Sequence, residues 1–220
     1  MSKQKPTSPA RPAPKPGRNS QKYQRILDAA ILAIAEKGYF QTRVSDIADR
    51  AGVADGTIYL YFHNKEQILM AAIDSAFSAF LERARSELKP LSDPRQRLGR
   101  LAWLHLHAMG GNRPLAVVFQ TELRHSAKFL AQFSQHQLVE YFDLIRSVVR
   151  EGQTSGVFRR EVSDKIAANC FFGALDEMVT SWMLSEHEYE LAGAAEAVVD
   201  VILRGLDAGP GHGSAQPQHG

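Results

Sequence analysis

One cysteine in 220 residues, Cys170, rules out an internal disulfide framework and fits a reducing compartment. It stands in an apolar run beside Phe171 and Phe172, where a buried structural thiol is expected rather than a nucleophile. No apolar stretch approaches the roughly 20 residues of a transmembrane helix. The first residues carry no apolar signal-peptide core, so a cytoplasmic protein without a membrane partner is expected. No segment alternates with period two, which argues against strands. Enzyme signatures are missing as well: there is no Gly-rich phosphate loop and no serine elbow. His105 and His107 stand two apart on a helix, point to different faces and cannot clamp one metal. Neither catalysis nor a cofactor nor a metal site is expected.

Acidic residues are absent before Asp28, and the charge is divided accordingly. Residues 1–65 hold 11 Lys and Arg against 5 Asp and Glu, while the remainder holds 15 against 19. The net charge of +2 therefore hides a basic head on a mildly acidic body, a balance suited to phosphate contact at one end. Residues 1–20 alternate Pro with Lys and Arg and read as a disordered basic arm. Residues 208–220, rich in Gly, Pro, Gln and His, read as a disordered tail. With 44% hydrophobic residues, the chain between them can bury a core of one or two domains.

Residues 43–64, RVSDIADRAGVADGTIYLYFHN, carry the most information. Val44, Ile47 and Ala51 fall on one helical face, Gly52 accepts the left-handed backbone of a sharp turn, and Val53 tucks beneath it. Thr42 is the expected cap of this helix. Asp55 stands where a second N-cap should, its carboxylate holding the free amides of another short helix. That second helix presents Thr57, Tyr59, Leu60 and Tyr61, more hydroxyl and ring than a core element needs. The pattern is a helix-turn-helix, whose second helix enters the DNA major groove.

Spacing of three and four predicts helices elsewhere too. The first covers about 21–37, with Ile26, Leu27, Ala30, Ile31 and Ile34 buried, Gly38 as its stop, and Tyr39 and Phe40 as core aromatics. A long helix opens at Lys65 and reaches about Lys89, where Pro90 and Asp93-Pro94 interrupt it. Further runs are expected near 95–109, 113–126, 127–151, 163–185 and 189–206, punctuated by Gly110-Gly111, Pro114, Gly152, Gly156 and Ser163. The fold class is therefore all-α. A three-helix DNA-binding head over 21–66 precedes a larger helical bundle over 67–207.

Residues 22–74, and above all GVADGTIYLYFHNKEQIL over 52–69, resemble the DNA-binding head of TetR-type repressors. Gly52, Gly56, Thr57, Tyr59, Tyr61, Phe62 and Lys65 all match. One departure is Arg43, which follows Thr42 where that family usually has paired hydroxyls. The resemblance implies DNA contacts from Thr42, Arg43, Asp55, Gly56, Thr57, Tyr59, Leu60, Tyr61 and Lys65. Hydroxyls at Thr57, Tyr59 and Tyr61 would meet phosphates or base edges. Lys65, at a helix start, would meet a phosphate, and Gly56 would let the backbone approach closely. Phe62 is read as mostly core, Tyr59 as partly core and Tyr61 as the better contact; Leu60 could touch a thymine methyl or merely pack. A homodimer through the last two helices is implied as well, bringing two heads to successive major grooves of a near-palindromic double-stranded operator. The nearly all-round apolar character of 163–184 and 191–206, with small Ala167, Ala168, Gly173 and Ala174, supports it independently.

Over residues 116–191, the segments FQTELRHSAKFLAQF, YFDLI, REGQTSGVF, FFGALDEMVTSWML and EYEL resemble the fatty-acid-degradation repressors of the TetR class. This implies a repressor of fatty-acid degradation genes that a long-chain acyl-CoA releases from DNA. Phe119, Leu123, Phe171, Phe172, Met178 and Trp182 would line a greasy tunnel. Arg124, His125 and Lys128, with Arg146 or Arg150 behind them, would meet the effector's phosphates. Asp176 needs a partner in its apolar helix, and a pair with Arg124 suits the residues as well as an effector contact does. Two other functions stay open: a repressor of an efflux gene induced by a hydrophobic xenobiotic, and a helical ligand carrier that does not bind DNA.

Overall fold

The computed structural model describes residues 18–124, 127, 129, 137–187 and 189–207, and among them every regular element is helical. α1 (Arg18–Lys37) buries Ile26, Leu27, Ala30, Ile31 and Ile34, the stripe that its spacing predicts. α2 (Val44–Ala51) buries Ile47, Ala48 and Ala51. It stops at Gly52, whose φ of 63° turns its amide back to the Ala48 and Asp49 carbonyls. α3 (Asp55–Ile58) follows at once, and Ile58 and Phe62 are buried with the stripe of α1 in one core.

Three expectations for the head are corrected. Arg43, not Thr42, holds the cap position of α2, its N–H donating to Asp46 Oδ2 at 2.7 Å. An arginine side chain is all donor, so it cannot complete the other half of a capping box. Thr42 is buried instead, and its hydroxyl donates to the Gly38 carbonyl at 2.8 Å, closing the loop after α1. Asp55 lies one residue inside α3, and Ala54 takes the cap position with no side-chain bond. Phe40 is 90% exposed, whereas Tyr39 turns towards the body and meets the Phe129 ring edge-on, centroids 4.9 Å apart.

α4 (Lys65–Leu88) leads from head to body and is capped by Asn64, whose Oδ1 accepts from the Gln67 N–H at 2.9 Å. α5 (Pro94–Gly110) opens on the Asp93-Pro94 pair, Asp93 accepting from the Arg95 N–H. α6 (Arg113–Val117) passes without a break into a π-helical segment, Val118–Leu123. α7 (Gln137–Thr154) and α8 (Asp164–Leu184) pack side by side, and a 3-10 turn over Leu191–Ala194 leads to α9 (Ala195–Leu206). Ser163 stands at the cap position of α8 but makes no side-chain cap bond.

Gly152 lies inside α7 rather than at its end. A Cβ there would stand 2.1 Å from the ring of buried Phe158, so the glycine makes room for an aromatic and Gly156, at φ 75°, makes the turn. Cys170 is exposed, against the expectation of a buried thiol, because it shares the outer face of α8 with Ile166, Gly173 and Leu184. On α9, Val201 is exposed too. A single chain therefore leaves apolar side chains of its last two helices in water. No helix among the described residues is long and apolar enough to cross a membrane.

Candidate DNA interface and effector cavity

The end of α3 projects Tyr59, 55% exposed, and Leu60, 81% exposed, away from the head core. Thr57 is half-buried, and an added Cβ at Gly56 would meet nothing within 4 Å. Arg43 is exposed at the start of α2, and its guanidinium has no hydrogen-bond acceptor among the described residues. The two tyrosines exchange the parts expected of them. Tyr61 is half-buried, its ring edge-on to Tyr23 at 5.9 Å, and Tyr59 is the outward ring. Phe62 is buried and stacks on Tyr23 at 5.3 Å.

Lys65 does not offer its charge outward. Its Nζ donates to the carbonyls of Tyr39, of Phe40 at 3.3 Å and of Thr42 at 2.7 Å, and lies 4.3 Å from the centre of the Tyr39 ring. All three ammonium protons are engaged. Partial burial lowers its pKa, and the nearby carboxylates of Glu122 and Asp46 pull it back up. Lys65 is a rivet between the start of α4 and the loop over 39–42. Lys37 and Arg50 are paired with Asp46 and Glu36, and Arg25 donates to the Ala51 and Gly52 carbonyls, clamping the turn. Among the described residues, Arg43, Asp55, Tyr59 and Leu60 are thus exposed side chains of this edge that no hydrogen bond or ion pair of the head engages.

The body holds an apolar cavity of about 40 Å³. Its walls include Ile73, Phe77 and Phe80 of α4, His105 of α5, Phe119 of the π-helical segment and Tyr141 of α7. That volume suits one or two waters, whereas ligand pockets run to roughly 300–1,000 Å³. One polar pair interrupts the apolar wall: His105 Nδ1 and the Tyr141 hydroxyl, both buried, lie 3.0 Å apart. Burial lowers the His105 pKa to about 4 and pushes the Tyr141 phenol far above its usual range, so both stay neutral.

The π-helical segment joins three regions. Phe119 faces the cavity. Gln120 Nε2 donates to Asp176 Oδ1 at 2.7 Å, and Arg124, just beyond the segment, pairs with Asp176 Oδ2 and donates to Gln120 Oε1 at 3.2 Å. Glu122 Oε1 accepts from the Tyr39 N–H at 3.1 Å, in the loop that Lys65 rivets. Burial raises the Asp176 pKa; the Gln120 hydrogen bond and the Arg124 charge oppose it. Short π-helical turns recur at functional sites. Here one turn touches the cavity, α8 and the head.

Residues 26–72 match the family of bacterial regulatory proteins of the tetR type, and residues 73–205 match the C-terminal region of YsiA-like proteins. A fatty acid metabolism regulator protein of Bacillus subtilis is 37% identical over 185 residues, 84% of this chain and 95% of that protein. The chain belongs to the TetR family. Among solved structures it is similar to FadR from Bacillus subtilis in complex with stearoyl-CoA, with a TM-score of 0.79, 37% identity, and 83% of this chain and 98% of that one covered. FadR from Bacillus halodurans gives a TM-score of 0.81 at 38% identity, covering 87% of this chain and 98% of that one. The repressor KstR2 of Rhodococcus jostii is 26% identical over 186 residues, 82% of this chain and 89% of that protein. The chain is accordingly a DNA-binding transcriptional regulator and not an enzyme.

Within this TetR-family body the expected effector residues separate. Phe119 lines the cavity; Leu123 and Phe171 are buried core, and Phe172 lies one layer behind, its ring 5.9 Å from His105. Trp182 donates its N–H to the Tyr189 carbonyl at 3.0 Å and carries Arg113 over its ring at 4.9 Å. Arg124 is held by Asp176, and Arg146 and Arg150 lean on Asp164 at 3.0 and 3.4 Å. His125 and Lys128 lie outside the described residues. The sequence reading missed Ile73, Phe77, Phe80, His105 and Tyr141 as a lining set. Their signal is the four-then-three step of Ile73, Phe77 and Phe80 on α4, facing a histidine in the apolar run of α5.

Proposed function

We propose that this TetR-family regulator is a homodimeric repressor of fatty-acid degradation genes that releases a near-palindromic operator when a long-chain acyl-CoA enters its body. The observation that carries the reading is the 37% identity and TM-score of 0.79 to a FadR solved with stearoyl-CoA. The apolar cavity at Phe77, Phe80 and Phe119 supports it. In each head Arg43, Thr57, Tyr59 and Leu60 meet the operator, Gly56 allows close approach, and Tyr61 braces the contact through Tyr23. Ile166, Leu184 and Val201 are covered by the second subunit, which places the exposed faces of α8 and α9 out of water. Such a repressor works in the cytoplasm, beside the chromosome.

Release follows from volume. A cavity of about 40 Å³ cannot take an acyl chain, so the effector binds best to a body whose walls have moved apart. Phe119 is one of those walls, and it shares its turn with Gln120 and Glu122. Opening the cavity displaces that turn, loosens the Glu122 bond to the Tyr39 N–H and disturbs the Gln120–Asp176 tie to α8. The two heads then leave the spacing that successive major grooves demand. The test begins with duplexes enriched by the full-length protein from a random library, titrated with palmitoyl-CoA, free CoA and a cationic dye. Release by palmitoyl-CoA alone is expected. Release by the dye alone would favour the xenobiotic reading, and failure to enrich any duplex would favour a ligand carrier.

A further inference from the structure

We infer that His105 is a specificity-determining residue of the effector site, donating its free ring N–H to an oxygen of the acyl moiety. This rests on the acyl-CoA reading above. The Tyr141 hydroxyl stands 3.0 Å from His105 Nδ1, and a phenol is the better donor while a neutral imidazole nitrogen is the better acceptor. Tyr141 therefore donates to Nδ1, and the ring proton sits on Nε2. Among the described residues Nε2 has no hydrogen-bond partner, although the residue is only 6% exposed and its ring lines the cavity. The rings of Phe80 and Phe172 flank the imidazole and offer no acceptor.

A single neutral N–H in an apolar wall selects its partner by chemistry. A phosphate would bring charge into a pocket whose lining has no cation, and burial is unfavourable for it. A bare methylene leaves the donor unmet. An uncharged acceptor oxygen satisfies it. In an acyl-CoA that oxygen is either the thioester carbonyl or an oxygen carried along the chain, and both accept from the same N–H.

Calorimetric titration of the full-length protein with three ligands tests this: palmitoyl-CoA, S-hexadecyl-CoA (the thioether in which CH2 replaces the carbonyl) and 3-hydroxyhexadecanoyl-CoA. Wild type is expected to bind the preferred oxygen-bearing ligand about tenfold tighter than its partner lacking that oxygen, the worth of one hydrogen bond. A tenfold gap between palmitoyl-CoA and the thioether assigns the thioester carbonyl. A gap between the hydroxyacyl ligand and palmitoyl-CoA assigns the chain. His105→Phe should bring that ratio to about one while still binding the thioether, which also shows that the variant is folded. His105→Gln keeps a donor and should restore most of the gap. An unchanged ratio in His105→Phe overturns the inference and leaves the effector reading intact. No binding of any of the three to wild type overturns both.

Discussion

Replacing Arg124 by leucine separates a structural tie from an effector clamp. In the folded chain the Asp176 side chain is 5% exposed and holds two partners, Arg124 and Gln120. Arg124→Leu leaves the carboxylate with Gln120. Breaking a fully buried pair in this way costs about 3–5 kcal/mol. The Arg124 side chain is 47% exposed, so solvent already screens part of its attraction, and about 2 kcal/mol is expected. In a body of this size that is a fall in Tm of roughly 4–8 °C at fixed protein concentration. Asp176→Asn removes the buried charge but still accepts from Gln120, and it should change stability by less than about 1 kcal/mol. The double variant Arg124→Leu/Asp176→Asn should then recover most of what Arg124→Leu loses, because no orphaned carboxylate remains. Denaturant unfolding of all four proteins at neutral pH reads the cycle. If Arg124→Leu keeps wild-type stability, or the double variant is as weak as the single one, the tie to Asp176 is not what holds this region. A stable Arg124→Leu protein with palmitoyl-CoA affinity lowered tenfold would return Arg124 to the effector.

Acidification should weaken the wild type between about pH 6.5 and 4 through His105. Its folded pKa is lowered to about 4 and its unfolded value is 6.5, so only the unfolded chain takes up a proton in that window. The loss approaches 3 kcal/mol at the low end, by about 1.4 kcal/mol per pH unit, and the raised pKa of Asp176 opposes it there. Comparing urea midpoints across pH for wild type and His105→Phe isolates the histidine; identical slopes would contradict its burial as a neutral ring. Gly152→Ala should destabilise by about 2–3 kcal/mol, because the new methyl meets buried Phe158 at 2.1 Å, and Gly152→Ala/Phe158→Leu should recover part of this. Arg43→Ala should weaken binding to an enriched duplex about tenfold and reduce the salt slope by about one, with fluorescence anisotropy as the readout. Lys65→Met should instead lower thermal stability, since its ammonium holds three carbonyls of the head.

What the chain reveals without coordinates is mostly local. The α1 stripe, the Gly52 turn and the break at Asp93-Pro94 all follow from neighbours within one or two helical turns, and the structure keeps each. The misreadings concern contacts made at long range. Lys65 looks like an open helix-start cation until its ammonium meets carbonyls 23 to 26 residues earlier. Tyr59 and Tyr61 differ by one fact, the Tyr23 ring, which lies on another helix. Gly152 reads as a stop because glycine commonly is one, yet here it yields space to Phe158. Cys170 and its neighbours read as core because apolar runs usually are buried, and one chain by itself leaves that face open. The π-helical turn has no residue signature at all. Its role lies in the pairing of Glu122 with Tyr39 and of Gln120 with Asp176, at separations of 83 and 56 residues.

The central claim is that effector and operator compete through one mobile body, and thermodynamic reciprocity tests it most directly. Operator affinity is measured with and without saturating palmitoyl-CoA, and palmitoyl-CoA affinity with and without saturating operator. The two ratios should agree, and both should fall in Glu122→Ala, which loses the carboxylate tie between the π-helical turn and the Tyr39 N–H. Operator affinity that is unchanged by palmitoyl-CoA, or ratios that stay at the wild-type value in Glu122→Ala, would contradict the account.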